Sequence, residues 1–220
     1  TSAATKAVSG DEAAIEATAQ KVFASWNAND LAAFREVVSD AGLVSIFGEG
    51  GYTLEEVLAE LPNFFGSEQI SNITVSNVKV SGATATADVQ FLFTYAYEKN
   101  RWTLSKTGSG WKVDEEGDLA VEVPSDKTLV HVDANEFAYG VDTSAIDANT
   151  AFEFANVGKQ EHEIGIGRIT ADANIDDLIQ SLAADESGDE VPGFEFIGAV
   201  SAKPGATNNL VFVESLQPGR

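Results

Sequence analysis

The chain has 220 residues, with 13 Lys and Arg against 35 Asp and Glu, so its formal net charge is −22 and its pI is near 4.2. A chain this acidic repels nucleic-acid phosphates and anionic lipid surfaces, which excludes both as expected partners. The hydrophobic fraction of 44% predicts a folded protein, and the lack of Cys and Met in these residues excludes disulfides, thiolate nucleophiles and sulfur ligands to metals.

Residues 1–10 are mostly small and polar, and they are predicted to form a tether before the folded body. No apolar stretch approaches the roughly 20 residues that span a bilayer, so the sequence predicts no membrane span. A small-residue segment of this kind is typical of secreted or lipid-anchored proteins after signal cleavage. We therefore expect an extracytoplasmic location in the cell envelope, with a lipid anchor before residue 1 as one arrangement and a cytosolic origin as the alternative.

Helical spacing begins at Asp11. Apolar residues three and four positions apart share one helix face, namely Ile15, Ala19, Val22, Phe23 and Trp26. Asp30 is placed to cap a second short helix, and Thr53 is placed to cap a third that ends at Pro62. Between these two helices, the apolar run at 43–47 predicts a strand.

After residue 70 the apolar period changes from helical to alternating. Strands are predicted at 70–80, 83–97, 101–104 and 110–113, separated by Ser-Gly, Lys-Asn and Gly-Ser-Gly turns. The long strand carries small residues and then aromatics on one face, which indicates a strongly curved sheet wrapped around helices. Its alternation places Asp88 on the outward face. The charged segment 114–118 ends this region, and residues 119–123 are predicted to be a linker.

The order of helix, helix, strand, helix and meander resembles the cystatin-like cone of the nuclear-transport-factor-2-like superfamily. The resemblance covers about residues 11–116 of a domain predicted at 11–118, and it rests on the helix pair at 14–34, on Leu-Val-Ser-Ile-Phe at 43–47 and on Gly-Trp-Lys-Val-Asp-Glu-Glu at 110–116. Members include isomerases, dehydratases, polyketide cyclases and many proteins without enzyme activity. The resemblance implies an α+β domain in which helices pack on a curved antiparallel sheet.

An enzyme of this superfamily would need an Asp or His in the apolar interior and a tyrosine-like donor beside it. Residues 11–118 contain no His, and Asp88 is predicted to point outward. Tyr52, Tyr95 and Tyr97 are donors without a base, and Glu49 lies among glycines as a turn residue. We therefore predict no catalytic residues and no enzyme activity.

Aromatic residues of the cone are candidates for an apolar ligand pocket, although the same spacings are typical of plain core. The predicted pocket residues are Trp26, Phe47, Phe91, Phe93 and Trp102, and Phe64 and Phe65 are further candidates.

Residues 124–220 resemble the plastocyanin-like cupredoxin fold. The resemblance rests on Asn-Glu-Phe at 135–137, the segment from Phe152 to Glu163, Pro-Gly-Ala-Thr at 204–207 and Leu-Gln-Pro-Gly at 216–219. It implies an all-β Greek-key sandwich following the cone. Residues 170–196 are an insertion relative to that fold, with a helix capped by Asn174 and an acidic loop after it.

A copper-bearing cupredoxin holds its metal with two imidazoles, a thiolate and a weak thioether. His162 stands at the first ligand position, but the other ligands normally follow the Leu-Gln-Pro-Gly stretch and are not among these residues. His162 is therefore interpreted as a remnant, and no metal or other cofactor is predicted. His131 is predicted to be exposed, and Glu161 and Glu163 to point away from His162. The acidic residues at 172–177 and 185–190 are interpreted as solvated loops.

The first functional interpretation is a non-catalytic, extracytoplasmic binding or assembly protein of the cell envelope. The alternatives are a blue-copper electron-transfer protein whose C-terminal ligand loop lies outside this chain, and a small-molecule isomerase or dehydratase in the cone. The resembled fold places one more core strand after residue 219. We therefore expect residues 210–213 to pair on one side only and to leave an open sheet edge. That edge would be filled by residues after Arg220 or, through self-association, by a protein partner such as a neighbouring copy's residues 1–10.

Overall fold

The computed structural model describes residues 10–48, 51–65, 69–108, 110–136, 138–170, 173–184 and 191–216. The chain divides into two compact units. The first unit consists of residues 1–93 and 98–119, and the second consists of residues 94–97 and 120–220. The tether at 1–9, Glu49, and the acidic positions 172 and 185–190 lie outside the described residues.

Helices make up the first half of the first unit: α1 (Gly10–Asn27), α2 (Leu31–Val37), α3 (Asp40–Phe47) and α4 (Leu54–Phe64). The apolar face predicted for α1 is confirmed, since Ile15 and Val22 are buried. Both predicted caps are also confirmed. The Asp30 side chain accepts a hydrogen bond from the Ala33 amide at 3.0 Å, and Thr53 forms a reciprocal capping box with Glu56.

The strand predicted at 43–47 is wrong, because these residues form most of α3. Ser39 caps this helix by accepting a hydrogen bond from the Gly42 amide at 3.1 Å. A short apolar run containing Val44 and Ile46 fits a buried strand and a buried helix equally well, so the local pattern could not separate them. The predicted end of α4 is also early, since Pro62 lies inside the helix and α4 continues to Phe64.

The rest of the first unit is a curved antiparallel sheet of β1 (Ile70–Ser81), β2 (Thr84–Phe93), β3 (Ala96–Thr107) and β4 (Gly110–Asp118). Its apolar face carries Ala87 and Val89, which lie in one buried cluster with Ile15 and Phe23 of α1 and Leu61 of α4. The unit is therefore a mixed α and β layer in which helices cover one face of the sheet.

The long strand predicted at 83–97 is wrong in its last four residues. The structure ends β2 at Phe93, turns at Thr94 and Tyr95, and begins β3 at Ala96. The predicted Lys-Asn turn therefore lies inside β3. Thr94 has a φ of 54°, a left-handed conformation that is unusual for a β-branched residue, so its sequence gives no turn signal.

Asp88 lies on the sheet face opposite the helices, as predicted, but other side chains cover it and leave it only 3% exposed. Arg101 covers it with two hydrogen bonds, from Nε to Oδ1 at 2.8 Å and from a terminal nitrogen to Oδ2 at 3.1 Å. Asn77 donates a third bond to Oδ2 at 2.8 Å. The Arg101 hydrogen bond, followed by that of Asn77, lowers the pKa of the Asp88 carboxyl. Alternation had assigned the correct face but not the side chains that cover it.

We expect Asp88→Asn to lower the free energy of unfolding by about 1–3 kcal/mol at neutral pH, because it removes charge-assisted bonds to a buried group. The pKa of Asp88 is lowered in the folded state, so its contribution is present above the unfolded value of about 3.9 and is lost as the pH falls through the folded value. Urea unfolding from neutral pH to about pH 2.5 measures this difference. Asp114→Asn is the control, since Asp114 has no hydrogen bond or ion pair within the described residues. If the difference in free energy of unfolding between wild type and Asp88→Asn were as large at about pH 2.5 as at neutral pH, the prediction would be contradicted.

The second unit contains β5 (Thr128–Asn135), β6 (Ala138–Val141), β7 (Thr150–Asn156), β8 (His162–Ile169), α5 (Ile175–Ala184), β9 (Phe194–Ala202) and β10 (Thr207–Phe212). β5 pairs in parallel with β7 and antiparallel with β6, and β10 pairs antiparallel with β7. β8 and β9 form a separate antiparallel pair. Val200 of β9 shares one buried cluster with Val132, Phe154 and Leu210, so this pair packs over the larger sheet. The helix predicted within the insertion is confirmed as α5.

The one-sided pairing expected for residues 210–213 is wrong. Leu210 pairs with Phe152 on one side, while Val211 and Phe212 pair on the other side with Tyr97 and Ala96. The Val213 amide then donates to the Tyr95 carbonyl at 2.9 Å. The second unit thus takes residues 94–97 as an additional strand, and the expectation failed because it considered residues 124–220 alone.

Candidate functional site

The second unit contains a cavity of about 310 Å³, which we call the Tyr95 cavity. Its apolar lining comes from Ile166, Ile197, Phe212 and Leu216. Its polar lining comes from Tyr95, Arg168, Glu195, Glu214 and Ser215, and Gly167 completes the lining. Phe212 is buried and the other three apolar side chains are half-buried. The cavity therefore combines an apolar floor with a polar rim.

Three rim side chains hold each other in place. Arg168 of β8 lies opposite Glu195 of β9 in the strand register, and its Nε donates to Oε2 of Glu195 at 2.9 Å. A terminal nitrogen of Arg168 donates to the same oxygen. Tyr95 Oη donates to the other carboxylate oxygen, Oε1, at 3.1 Å. Both oxygens of the Glu195 carboxylate thus accept hydrogen bonds, which fixes the geometry of the rim.

The hydrogen bonds of the rim shift the protonation of two groups. The hydrogen bonds from Arg168 and then Tyr95 lower the pKa of Glu195, so this carboxylate is held in its charged form. The hydrogen bond to Glu195, with its negative charge, raises the pKa of Tyr95 and keeps the phenol protonated. Near neutral pH, Tyr95 is therefore a neutral donor and not a base.

Two glycines allow the strands to form this site. A Cβ on Gly167 would lie 2.0 Å from the Phe194 ring, and the β8–β9 register shifts between Ile166 and Gly167. Gly198 has a φ of 155°, and a Cβ there would lie 2.9 Å from the Ala96 side chain. Gly198 thus allows β9 to lie against residues 94–97, and Gly167 allows the register shift that directly precedes Arg168.

Glu214 differs from the other charged residues of the cavity. Its side chain is exposed and has no hydrogen bond or ion pair within the part of the chain that the structure describes. Its negative charge is close enough to Tyr95 to contribute to the raised pKa of that phenol. Among its described lining residues, the cavity therefore has one neutralised pair, Arg168 with Glu195, and one carboxylate, Glu214, without a counter-charge.

A second, wider groove of about 1090 Å³ lies on the first unit between α1, α2 and the start of β4. Its cations already have partners: Lys21 pairs with Glu36 at 2.6 Å, and Arg35 pairs with Asp40 at 3.4 Å. Lys112 donates to the Arg35 carbonyl at 3.0 Å. Because this groove is an open surface whose cations already have partners, it is a weaker candidate than the Tyr95 cavity.

The structure brings the five aromatic residues predicted to line a pocket into the core of the first unit, where they pack with other rings. Trp26 stacks on Phe47 at 6.1 Å between ring centroids. Phe91 and Trp102 lie 4.7 Å and 5.6 Å from Phe23, and Phe93 packs against the same cluster. Neither of the two cavities above is lined by these residues. The Phe64 side chain lies outside the described residues.

The two histidines occupy different environments. His131 is exposed, as predicted, and its ring nitrogens contact Glu153 at 2.8 Å and Asp133 at 3.0 Å, which raises its pKa. His162 Nε2 is buried and has no hydrogen-bond partner among the described residues, and a Cβ on Gly158 would lie 2.7 Å from it. Glu161 and Glu163 are exposed. Within the described ranges, no three His, Asp or Glu side chains cluster closely enough to hold a metal ion.

Two further surface features bear on the sequence predictions. Tyr52 is 53% exposed, so it does not enter the apolar interior of the first unit. Among the helices that the structure describes, none is both long enough and apolar enough to cross a bilayer.

Comparisons with solved structures find likenesses to about half of the chain. A nuclear-transport-factor-2-like protein of unknown function from Shewanella baltica is 14% identical, with a TM-score of 0.37, and the match covers 51% of this chain and 94% of that one. A nuclear-transport-factor-2-like protein from Cytophaga hutchinsonii is 13% identical, with a TM-score of 0.39 and coverages of 51% and 100%. A domain of unknown function with a cystatin-like fold from Nostoc punctiforme is 16% identical, with a TM-score of 0.36 and coverages of 49% and 75%. No protein-family model and no curated protein matches the chain.

Proposed function

We propose that this protein is a non-catalytic binding protein of the cell envelope, and that its second unit takes a small ligand in the Tyr95 cavity. The observation that carries the proposal is the combination of an apolar floor with a rim fixed by the Tyr95, Glu195 and Arg168 hydrogen bonds. A volume of about 310 Å³ and a few convergent polar groups are typical of small-molecule sites. The small, polar composition of residues 1–10 supports the extracytoplasmic part of the proposal.

The architectures proposed for the two units are consistent with this function. For the second unit we propose a cupredoxin-like Greek-key sandwich. Its support is the parallel β5–β7 pair flanked by β6 and β10, with β8 and β9 packed over the same core. For the first unit we propose a cone that serves as a structural body, and its support is the ring-on-ring packing around Trp26 and Phe23.

A copper-based electron-transfer function fits the donor set of these residues poorly. The only histidine at a ligand position is His162, and the chain offers no thiolate or thioether. Glu161 and Glu163 are exposed beside His162 and do not complete a ligand set.

The binding function is tested by filling the cavity. Ile197→Trp places a large side chain on the floor, and Ile146→Trp is the matched control on an exposed position of the same unit. Heteronuclear NMR titration with a panel of small alcohols, amines and carboxylates should shift signals around Tyr95 and Phe212 in the wild type and in Ile146→Trp. We expect Ile197→Trp to lose at least about tenfold in affinity. Far-UV circular dichroism shows whether the variant is folded, and Leu216→Trp replaces it if it is not. Unchanged binding in a folded, filled variant would refute the site.

Assembly is the second candidate function, and one observation favours it. Among the described residues, β8 and β9 pair only with each other, so each has an edge along which no further strand is paired. The candidate partner is a second copy of this chain adding a strand to that edge. Sedimentation equilibrium over a wide range of protein concentration tests this, and a monomer at every concentration would refute it.

A further inference from the structure

We propose that the ligand of the Tyr95 cavity is a small monocation with an apolar body, such as an alkylammonium, whose positive charge lies beside Glu214. This inference rests on the proposed function, and it adds the chemical class of the ligand.

The apolar body follows from the floor of the cavity. Phe212 is 2% exposed, and Ile166 and Ile197 are half-buried against the core of the second unit. These surfaces form no hydrogen bonds, so they favour a ligand that gives up little hydration when it leaves water. A fully polar ligand would lose hydrogen bonds to water there without replacement.

The sign of the ligand charge follows from the rim. The positive charge of Arg168 is already paired with Glu195, to which it directs Nε and a terminal nitrogen, so an anionic ligand would compete with that carboxylate for the guanidinium. Tyr95 directs its proton to the same carboxylate. Among the described lining residues, Glu214 is the one charged group without a partner, and an ammonium group beside it would neutralise its charge.

The net charge of the whole chain also favours a cationic ligand. A net charge of −22 lowers the local concentration of anions and raises that of cations. The rings of Tyr95 and Phe212 add favourable interaction with a cation where it approaches a ring face. An anionic ligand would meet both Glu214 and this field, while Arg168, the cation among the described lining residues, is already paired with Glu195.

Three probes with one body and different head groups test the assignment: hexylammonium, 1-hexanol and hexanoate. Isothermal titration calorimetry of the full chain should give the tightest binding for hexylammonium, about tenfold tighter than 1-hexanol at low salt, and the weakest for hexanoate. Glu214→Gln should reduce the preference for hexylammonium over 1-hexanol to less than about twofold, with 1-hexanol affinity unchanged. Added NaCl should also reduce that preference in the wild type.

Glu161→Gln is the matched control, since it removes an exposed carboxylate of the same unit that does not line the cavity. It should leave the preference intact. Equal binding of hexylammonium and 1-hexanol, or a preference that survives Glu214→Gln, overturns the cationic ligand and leaves the binding function standing. If no probe binds, or if all bind equally to wild type and to folded Ile197→Trp, the binding function itself is overturned.

Discussion

Asn156→Ala is expected to lower the free energy of unfolding by about 3 kcal/mol, because it leaves buried backbone groups without partners. Asn156 ends β7 and is only 1% exposed. Its Nδ2 donates to the carbonyls of Gln160 and Ala202, both at 2.7 Å, and its Oδ1 accepts from the Gly158 amide at 2.9 Å. One side chain therefore connects the end of β7, the end of β9 and the turn that leads into β8.

The measurement is urea unfolding followed by far-UV circular dichroism, since all three tryptophans lie in the first unit and would not report on the second. Asn208→Ala is the matched control. That side chain donates one longer bond, at 3.3 Å to the Ser201 carbonyl, and accepts one from the Asn209 amide, so its loss should cost no more than about 1 kcal/mol. Asn156→Asp keeps the acceptor for Gly158 but loses both donors, and it should be at least as damaging as alanine. An Asn156→Ala variant within about 0.5 kcal/mol of wild type would contradict this account.

Local signals in the sequence were sufficient for most helix boundaries. Asp30 and Thr53 cap helices because their oxygen atoms meet the free amides of the first turn, which is a property of a few neighbouring residues. The residues of α3 carried no such decisive signal. A Cβ on Gly42 would lie 2.3 Å from the Val113 carbonyl, so this helix depends on close contact with β4, which a local pattern does not contain.

The β2–β3 turn could not be predicted for a similar reason. Thr94 takes a left-handed conformation with φ of 54°, and the residues after it pair with β10 at Val211 and Phe212. Pairing between positions more than a hundred residues apart therefore overrides the alternating pattern that had suggested one continuous strand. The sequence identified the elements on either side of the turn but not the place where one ended.

The Tyr95 cavity was missed because its polar rim is assembled from distant positions. Tyr95 and Glu195 are 100 residues apart, and Arg168 lies 27 residues before Glu195. The available local signal was Gly-Ile-Gly-Arg at 165–168, in which Gly167 permits a register shift just before a basic residue. The aromatic set around Trp26 was correctly grouped by the sequence, but only the packing shows that these rings contact one another.

The acidic surface predicts a strong dependence of stability on salt. With 13 Lys and Arg against 35 Asp and Glu, the carboxylates outnumber the cations, and most of them have no cation of their own. Ion pairs such as Lys106 with Asp11 at 2.5 Å relieve only part of the repulsion. We expect the melting temperature to rise by about 5 °C or more between about 10 mM and 500 mM NaCl, as the screening length falls from about 30 Å to a few ångströms. Sucrose at equal osmolality is the control for effects that do not depend on charge.

Charge variants separate general repulsion from other effects of salt. Glu16→Gln, Asp118→Asn and Glu161→Gln remove exposed carboxylates that have no hydrogen bond or ion pair within the described residues, and the triple variant should raise the melting temperature at low salt and flatten its rise with NaCl. Gln20→Glu, on the exposed face of α1, adds one charge and should change both quantities in the opposite direction. If the melting temperature did not change with NaCl concentration, or if it rose with NaCl as steeply in the triple variant as in the wild type, the carboxylates would already be locally compensated. Opposite responses of the two variants would instead show that unmatched negative charge limits the stability of the folded state.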